Sequence, residues 1–208
     1  PAAVLQTVTE LCRDRLPRYY GLSPSQIQVL TPSRRQGAGT DQLNRRLQEA
    51  LNPATPEKNE KRFGDTVFRE GDRVMQIRNN YDIVWERMDN HEQGTGMFNG
   101  DVREILQIFP GQECLIVKFD DKLATYAFDM LDELELAYAM TVHKAQGSEF
   151  EAVIVALSAG VPRRLLTRNI LYTAITRAKK LLVIVGAQET LETMVNTNTR
   201  GRRYSALK

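Results

Sequence analysis

The chain has 208 residues, of which 42% are hydrophobic and 26% charged, a balance typical of a globular protein with one domain or one domain and an insert. This composition excludes collagen-like, mucin-like and wholly disordered chains, and no apolar run approaches the roughly 20 residues that cross a bilayer. The net charge of +2 excludes a uniformly basic protein that coats nucleic acid.

The two cysteines, Cys12 and Cys114, are far apart and form no pair motif. We therefore expect a reducing, cytoplasmic setting and neither a disulfide nor a zinc framework. The chain starts abruptly at Pro1, inside an apolar helical pattern, so we expect it to be part of a longer protein.

Charge is unevenly distributed along the chain. Residues 1–62 carry a net charge of +4, residues 63–159 carry −10 and residues 160–208 carry +8. Two basic segments could surround a polyanion while the acidic segment stands apart. The same clusters could equally be solvated surface, and charge alone does not decide between the two.

The first quarter of the chain predicts two helices and a strand. Apolar residues spaced by threes and fours over 4–12 indicate an amphipathic helix that ends before Pro17. The apolar run 27–32 predicts a buried strand that ends at a proline. A second amphipathic helix follows over 40–51, with Thr40 as its N-cap. A charged loop then extends to Arg62.

The middle of the chain predicts a small antiparallel barrel. A strand at 74–77 is followed by short apolar runs with turn signals between them and no helical stripe. These runs lie at 97–98, 102–109, 114–119 and 123–128.

The last part returns to an α/β pattern. Nearly continuous apolar runs predict strands buried on both faces of a parallel sheet, and helices are predicted between and after them. We therefore predict one α/β domain, formed by residues 1–78 and 133–208, with a barrel inserted at 79–132. The predicted strands are 137–142, 152–157 and 181–186, and the helices are 163–177 and 188–195.

None of the thirteen glycines is followed by lysine, so the chain contains no phosphate-binding loop of the G-x-x-x-x-G-K-[ST] type. Asp132 and Glu133 lack the continuous apolar strand that would precede a magnesium-binding acidic pair. We interpret them as barrel edge or linker and predict no metal site. The chain by itself is expected to hydrolyse no ATP.

Two motifs carry the strongest chemical signals. T-V-H-K-A-Q-G-S-E-F (141–150) follows a buried strand, and Gly147 permits close backbone approach to a ligand while Ser148 and Glu149 offer hydrogen bonds to hydroxyl groups. L-Y-T-A-I-T-R-A-K-K (171–180) ends a helix with Arg177, which could project toward a neighbouring domain. An arginine there could also serve only as a partner of the helix dipole.

Further stretches precede these motifs in a fixed order: Q-V-L-T-P-S-R-R-Q-G-A-G-T (28–40), F-x-x-G-D-R-V-M-Q-I-x-N-N-Y-D (68–82) and F-N-G-D (98–101). The series resembles the C-terminal motor half of RecD-like superfamily 1 DNA helicases, including the helicase parts of TraA-type relaxases. The resemblance extends from about Ile27 onward. It implies an α/β fold in which a RecA-like second motor domain, without the P-loop, carries an inserted SH3-like β-barrel.

The resemblance also implies roles for residues near the nucleotide. Gly147, Ser148 and Glu149 are expected to face it, with Glu149 near the ribose, and Arg177 is expected to be the arginine finger. ATP and Mg²⁺ are expected to be held mainly by the N-terminal RecA-like domain of the same protein.

Residues that are expected near single-stranded DNA come from three places. Thr141 and His143 lie in the first motif, and Asn80 lies where the barrel joins the core. The resemblance assigns the remaining contacts to Thr31, near the end of the first strand, with Arg34 and Arg35 nearby.

The implied function is 5′ to 3′ translocation on single-stranded DNA and unwinding of duplex DNA, with a possible protein partner on the barrel and no membrane association. The alternative is a non-catalytic module that binds protein or nucleic acid in a recombination or conjugation complex. A nuclease subunit finds no support, because no carboxylate cluster has metal-ligand spacing.

Overall fold

A computed structural model describes residues 1–100 and 102–198 of the chain. They form two compact units, which we call unit 1 (Pro1–Leu43 with the described residues from Met140 onward) and unit 2 (Asn44–Ala139). The predicted insert, 79–132, lies within unit 2, which also takes in residues on both sides of it. No helix among the described residues is long and apolar enough to cross a membrane.

In chain order, the helices are α1 (Ala2–Glu10), α2 (Leu16–Tyr20), α3 (Thr40–Leu51), α4 (Arg168–Ile175) and α5 (Gln188–Asn196). The strands are β1 (Ile27–Thr31), β2 (Glu60–Phe63), β3 (Thr66–Arg69), β4 (Arg73–Gln76), β5 (Asn80–Arg87), β6 (Gln93–Met97), β7 (Val102–Phe109), β8 (Cys114–Phe119), β9 (Lys122–Ala127), β10 (Leu134–Leu136), β11 (Ala139–Thr141), β12 (Phe150–Leu157) and β13 (Ala178–Gly186).

The sheet of unit 1 has the strand order β11-β1-β12-β13. β12 pairs in parallel with β1 on one side and with β13 on the other, and α1 and α4 pack on β12 and β13. Residues 152–157 of β12 are all buried, as predicted for a central strand. β13 is only half-buried because it has a single neighbour among the described strands.

The N-terminal helix does not end before Pro17, contrary to the sequence-based expectation. A π-helical segment, Leu11–Arg15, joins α1 to α2, and the backbone N–H of Leu16 donates to the carbonyl of Leu11. This widened turn changes the i−4 geometry that normally makes a proline incompatible with a helix interior. The helix therefore continues through Pro17 and ends at Gly21, whose positive φ of 63° forms the C-cap.

Unit 2 contains an antiparallel sheet with the strand order β10-β4-β7-β8-β9-β5-β6. The predicted runs at 102–109 and 114–119 match β7 and β8, whereas β5 was not predicted because charged residues interrupt its apolar pattern. The two end strands, β10 and β6, do not pair with each other along their described residues. The predicted turn at 99–101 includes residue 101, which lies outside the described residues.

A second small sheet of unit 2 begins inside the predicted charged loop, which ended at Arg62, and extends beyond it. β2 and β3 form an antiparallel hairpin in which Glu60 pairs with Arg69, and Arg69 Nε donates to Glu60 Oε1 over 2.5 Å. Polar side chains occupy much of β2, so it lacks the apolar alternation on which strand prediction depends.

Asp72 is the centre of a buried hydrogen-bond network in unit 2. Its side chain has no exposed surface. It accepts hydrogen bonds from Gln48 Nε2 (2.6 Å), Asn52 Nδ2 (2.8 Å), the Arg69 backbone (2.7 Å) and Tyr138 Oη (2.9 Å). Burial raises the pKa of Asp72, and these hydrogen bonds offset part of that rise. The network ties α3 to the β3–β4 turn and to the residue before β11.

Candidate functional site

The two strongest sequence motifs meet at the amino ends of β12 and β13. Phe150 is opposite Ala178 in the parallel ladder, and the Phe150 backbone N–H donates to the carbonyl of Arg177 over 2.8 Å. The first motif therefore ends where the second one leaves its helix. This contact brings Ser148 and Glu149 beside Arg177.

Arg177 is held in place by three acceptors. Its Nε donates to the carbonyl of Thr173 (3.2 Å), Nη1 to the carbonyl of Ser148 (3.0 Å) and Nη2 to Thr176 Oγ1 (3.2 Å). A guanidinium has five N–H donors. Two of them, one on each terminal nitrogen, therefore have no acceptor among the described residues.

The charge of Arg177 is not neutralised within the described part of the chain. Its three acceptors are carbonyl or hydroxyl oxygens, and none is a carboxylate. The residue is half-buried, and its three hydrogen bonds hold the guanidinium at a fixed position. A planar guanidinium with a donor left on each terminal nitrogen suits a phosphate or another oxyanion.

The residues before β12 leave room beside Arg177. Gly147 has a φ of 88°, which side chains rarely adopt, and a Cβ placed there would meet no atom within 4 Å. Glu149 is exposed and has no hydrogen-bond or ionic partner among the described residues. Ser148 uses its backbone N–H on the carbonyl of Ala145 (3.1 Å) and its carbonyl on Arg177.

Another group of predicted residues lies at the carboxyl ends of β1 and β11. The backbone N–H of Val142, directly after β11, donates to the carbonyl of Thr31 over 3.1 Å. Thr141 is half-buried and its Oγ1 accepts from the Lys144 backbone over 3.4 Å. His143 is exposed in the turn that follows.

Thr31 is fully buried, so its hydroxyl does not lie on the surface. It donates to the carbonyl of Ala38 over 3.1 Å and thereby closes the loop between β1 and α3. Arg34 and Arg35 on this loop are exposed, and Arg34 Nε is 3.2 Å from Asp41 Oδ1. The surface at this end is therefore formed by the arginines, with Thr31 supporting them from beneath.

The residues predicted to face the nucleotide and the residues of unit 1 predicted to contact DNA lie at opposite ends of one sheet. Leu30, next to Thr31, pairs with Val155, whereas Arg177 lies beside Phe150. Five residues of β12 separate the two positions, which corresponds to about 17 Å. From the sequence, we expected the loop after β11 to bind a ligand at the carboxyl end of its strand. In the structure, however, Gly147–Glu149 lie at the amino end of the next one.

Asn80 belongs to unit 2, where Glu133 engages its side chain. Its Nδ2 donates to Glu133 Oε1 over 2.9 Å, and Gln76 Nε2 donates to Glu133 Oε2 over 2.9 Å. Asp132 pairs with Arg78. The described residues contain no group of three or more potential metal ligands of the His, Cys, Asp or Glu type.

Two structurally important residues were missed by sequence reasoning. Asp72 lies in a quoted motif, but only its burial and four donors show its role. Ser158, which follows β12, accepts a hydrogen bond from the Ala38 backbone N–H over 2.5 Å. This bond fixes the loop between β1 and α3, which carries Arg34 and Arg35. No local pattern marks Ser158, because its partner is 120 residues away in the chain.

Comparison with known proteins identifies both units. Residues 43–119 match the model of the ATP-dependent RecD-like DNA helicase SH3 domain, and residues 136–185 match that of the UvrD-like helicase C-terminal domain. The predicted SH3-like fold in the middle of the chain is thereby confirmed, although the matched region begins earlier than the predicted insert.

The chain is 36% identical over 165 residues to the ATP-dependent RecD2 DNA helicase of Deinococcus radiodurans. The matched stretch covers 79% of this chain and 20% of that protein. It is 32% identical over 160 residues to the RecBCD enzyme subunit RecD of Mycolicibacterium smegmatis. Here the matched stretch covers 77% of this chain and 25% of that protein. The chain thus spans only a fifth to a quarter of the length of these relatives.

A crystal structure of Pif1 helicase from Bacteroides in complex with ADP-AlF3 and ssDNA has the same fold. Its TM-score is 0.53 at 17% identity, over 95% of this chain and 48% of that one. The two family matches, in their expected order, and the relatives show that this chain belongs to the RecD-like DNA helicases and corresponds to the C-terminal motor half of that family.

Proposed function

We propose that the full-length protein containing this chain is an ATP-dependent DNA helicase, and that this chain supplies its arginine finger and part of its DNA track. The observation that carries the proposal is the state of Arg177. Its guanidinium is fixed by three neutral acceptors, has no carboxylate partner among the described residues and keeps two N–H donors available.

The residues at the amino ends of β12 and β13 fit one side of a nucleotide. Arg177 offers donors to phosphate oxygens, Glu149 offers a carboxylate to hydroxyl groups, and the backbone at Gly147 is uncovered. The sequence lacks a phosphate-binding loop, so we assign ATP and Mg²⁺ mainly to an N-terminal RecA-like domain of the same protein. ATP with Mg²⁺ supplies the phosphoanhydride bond whose hydrolysis drives the motor. Arg177 stabilises the charge that develops on the phosphoryl oxygens.

For the opposite end of the sheet we propose contact with single-stranded DNA. Arg34, Arg35, Thr141 and His143 would meet the strand directly, and Thr31 would hold the loop that carries the arginines. Contacts of this kind are largely electrostatic and weaken with salt. From the family resemblance we propose 5′ to 3′ translocation. From the two cysteines, which form no pair motif in the sequence, we propose a cytoplasmic location. The DNA contact at Asn80 and the protein partner on the SH3-like region stay predictions.

The proposal is tested by Arg177→Ala in the full-length protein. DNA-stimulated ATP turnover is expected to fall by about 10³-fold or more, because an arginine finger contributes on this order to the rate. Affinity for single-stranded DNA should stay close to the wild-type value, because Arg177 lies at the opposite end of the sheet. Steady-state ATPase assays and oligonucleotide titrations measure the two effects.

The matched control is Lys179→Ala, which removes an exposed cation two residues away. This variant should turn over ATP at close to the wild-type rate. The isolated 208-residue chain, checked for folding by circular dichroism, should show no hydrolysis in the same assay. Normal turnover by Arg177→Ala, or hydrolysis by the isolated chain, would contradict the assignment of a site divided between two domains.

A further inference from the structure

Three adjacent strands of unit 1 end at the same edge of the sheet, and each is followed by a loop with exposed basic residues. The loop after β1 carries Arg34 and Arg35, and the turn after β11 carries Lys144. The loop after β12 carries Arg163 and Arg164, both exposed and not yet assigned a role.

The loop after β12 is packed against the loop after β1. Ser158 Oγ accepts from the Ala38 backbone over 2.5 Å. A Cβ placed at Gly37 would overlap Ser158 Oγ and lie 2.9 Å from the carbonyl of Ala159. A Cβ placed at Gly160 would lie 3.7 Å from the Gly37 backbone nitrogen. The two loops therefore form one surface with a fixed relative position.

Arg163 and Arg164 lie in a short 3-10 turn that follows the contact between these two loops. The backbone N–H of Leu165 donates to the carbonyl of Pro162 over 2.9 Å, and that of Leu166 to the carbonyl of Arg163 over 3.0 Å. Leu166 is buried, which anchors the turn and leaves the arginines outside. Neither arginine has a carboxylate partner within the described part of the chain.

The edge is electropositive because its loops contain no acids. No Asp or Glu occurs in 32–40, 142–148 or 158–168, although the chain has 26 of them. Asp41, directly after the first of these stretches, pairs with Arg34. Surface arginines are usually interspersed with carboxylates, so three separate basic loops without a carboxylate of their own favour a polyanion.

We propose that Arg163 and Arg164 bind backbone phosphates of single-stranded DNA, so that the DNA track of unit 1 extends from the β1 loop across the carboxyl end of β12. This inference rests on the proposed function and adds a contact region to it. Arginine suits the role because its planar donors match phosphate oxygens. Contacts to the backbone carry no sequence preference, as a translocating protein requires.

The test is a salt titration of the full-length protein with a fluorescent oligothymidylate. Each phosphate contact on a single strand contributes about 0.7 to the slope of log K against log salt. The Arg163→Gln/Arg164→Gln variant is therefore expected to lower the magnitude of the slope by about 1.4. Fluorescence anisotropy at several NaCl concentrations measures it.

The control variant is Arg15→Gln/Lys179→Gln, which removes the same charge from exposed positions of unit 1 outside the three loops. It should keep the wild-type slope. Equal slopes for the two double variants, with wild-type binding intact, would overturn the inference alone. Absence of single-stranded DNA binding by the wild-type protein would instead contradict the proposed function.

A second variant separates charge from folding. Arg163→Lys/Arg164→Lys retains both cations, so it should keep most of the slope that the glutamine variant loses. If the lysine variant loses as much slope as the glutamine variant while its melting temperature matches the wild type, phosphate contact by these side chains is refuted.

Discussion

The chemistry of an arginine depends on the groups that surround it. Arg177 could have been an ordinary partner of the helix dipole, and its Nε does donate to the carbonyl of Thr173 in the last turn of α4. Its other two hydrogen bonds, however, go to Ser148 and Thr176 and fix the plane of the guanidinium. Pre-orientation of this kind lowers the entropy that is lost when an anion binds.

Asp72 provides the clearest prediction about stability at the scale of one residue. Asp72→Ala leaves four buried donors without their acceptor, and each such loss costs about 1–3 kcal/mol. Because part of this cost is relieved when the buried charge is removed, we expect the free energy of unfolding of unit 2 to fall by about 3 kcal/mol. Urea denaturation measures the change.

Asp82→Ala is the control for this substitution, because Asp82 is exposed on β5 and its loss should change stability little. The pH dependence gives an independent check. Since burial raises the pKa of Asp72, the folded state binds the proton more tightly than the unfolded state. The stability that Asp72 contributes should therefore increase as the pH falls toward the raised pKa. A difference between wild type and Asp72→Ala that shrinks on acidification would contradict this account.

At the scale of an element, the loop between β1 and α3 shows how backbone contacts position side chains. Gly37 has a φ of 62°, and a Cβ there would overlap Ser158 Oγ. Gly37→Ala is expected to destabilise unit 1 by about 1–3 kcal/mol through backbone strain and steric overlap. It should also weaken oligonucleotide binding, because the loop that carries Arg34 and Arg35 must move.

Gly21→Ala is a matched control for this substitution. Gly21 has nearly the same φ, 63°, but no atom lies within 4 Å of a Cβ placed there. The difference between the two variants in thermal unfolding therefore measures the steric contact with Ser158. Equal losses of stability, with unchanged DNA affinity in both variants, would show that the contact between Gly37 and Ser158 does not position the loop between β1 and α3.

Elements with a strong apolar pattern were predicted from the sequence, whereas polar ones were not. α3, β7, β8, β1 and β12 lie close to their predicted bounds, because each has a clear apolar pattern: periodic in α3, and a short apolar run in the strands. The hairpin of β2 and β3 was missed because cross-strand polar pairs stabilise it. The helix through Pro17 was missed because a π-helical turn depends on backbone geometry.

At the scale of the whole protein, the direction of translocation is the main expectation that rests on family resemblance. The full-length protein should unwind a duplex with a 5′ single-stranded tail in the presence of ATP. A duplex with a 3′ tail, and a blunt duplex as the control, should be unwound only at background level. Strand-displacement assays with labelled substrates measure this, and preferential unwinding from the 3′ tail would reverse the proposed polarity.

The sequence by itself determined the family, the α/β and SH3-like parts, and the candidate residues, because motif residues and apolar periodicity are local properties of the chain. The tertiary structure decided which of these residues meet. It joined Arg177 to Ser148, buried Thr31, and separated the two ends of the sheet through the register of β1, β12 and β13. It also packed the loop that precedes Arg163 and Arg164 against the loop that carries Arg34 and Arg35. Such contacts depend on strand order and register, which no single stretch of sequence encodes.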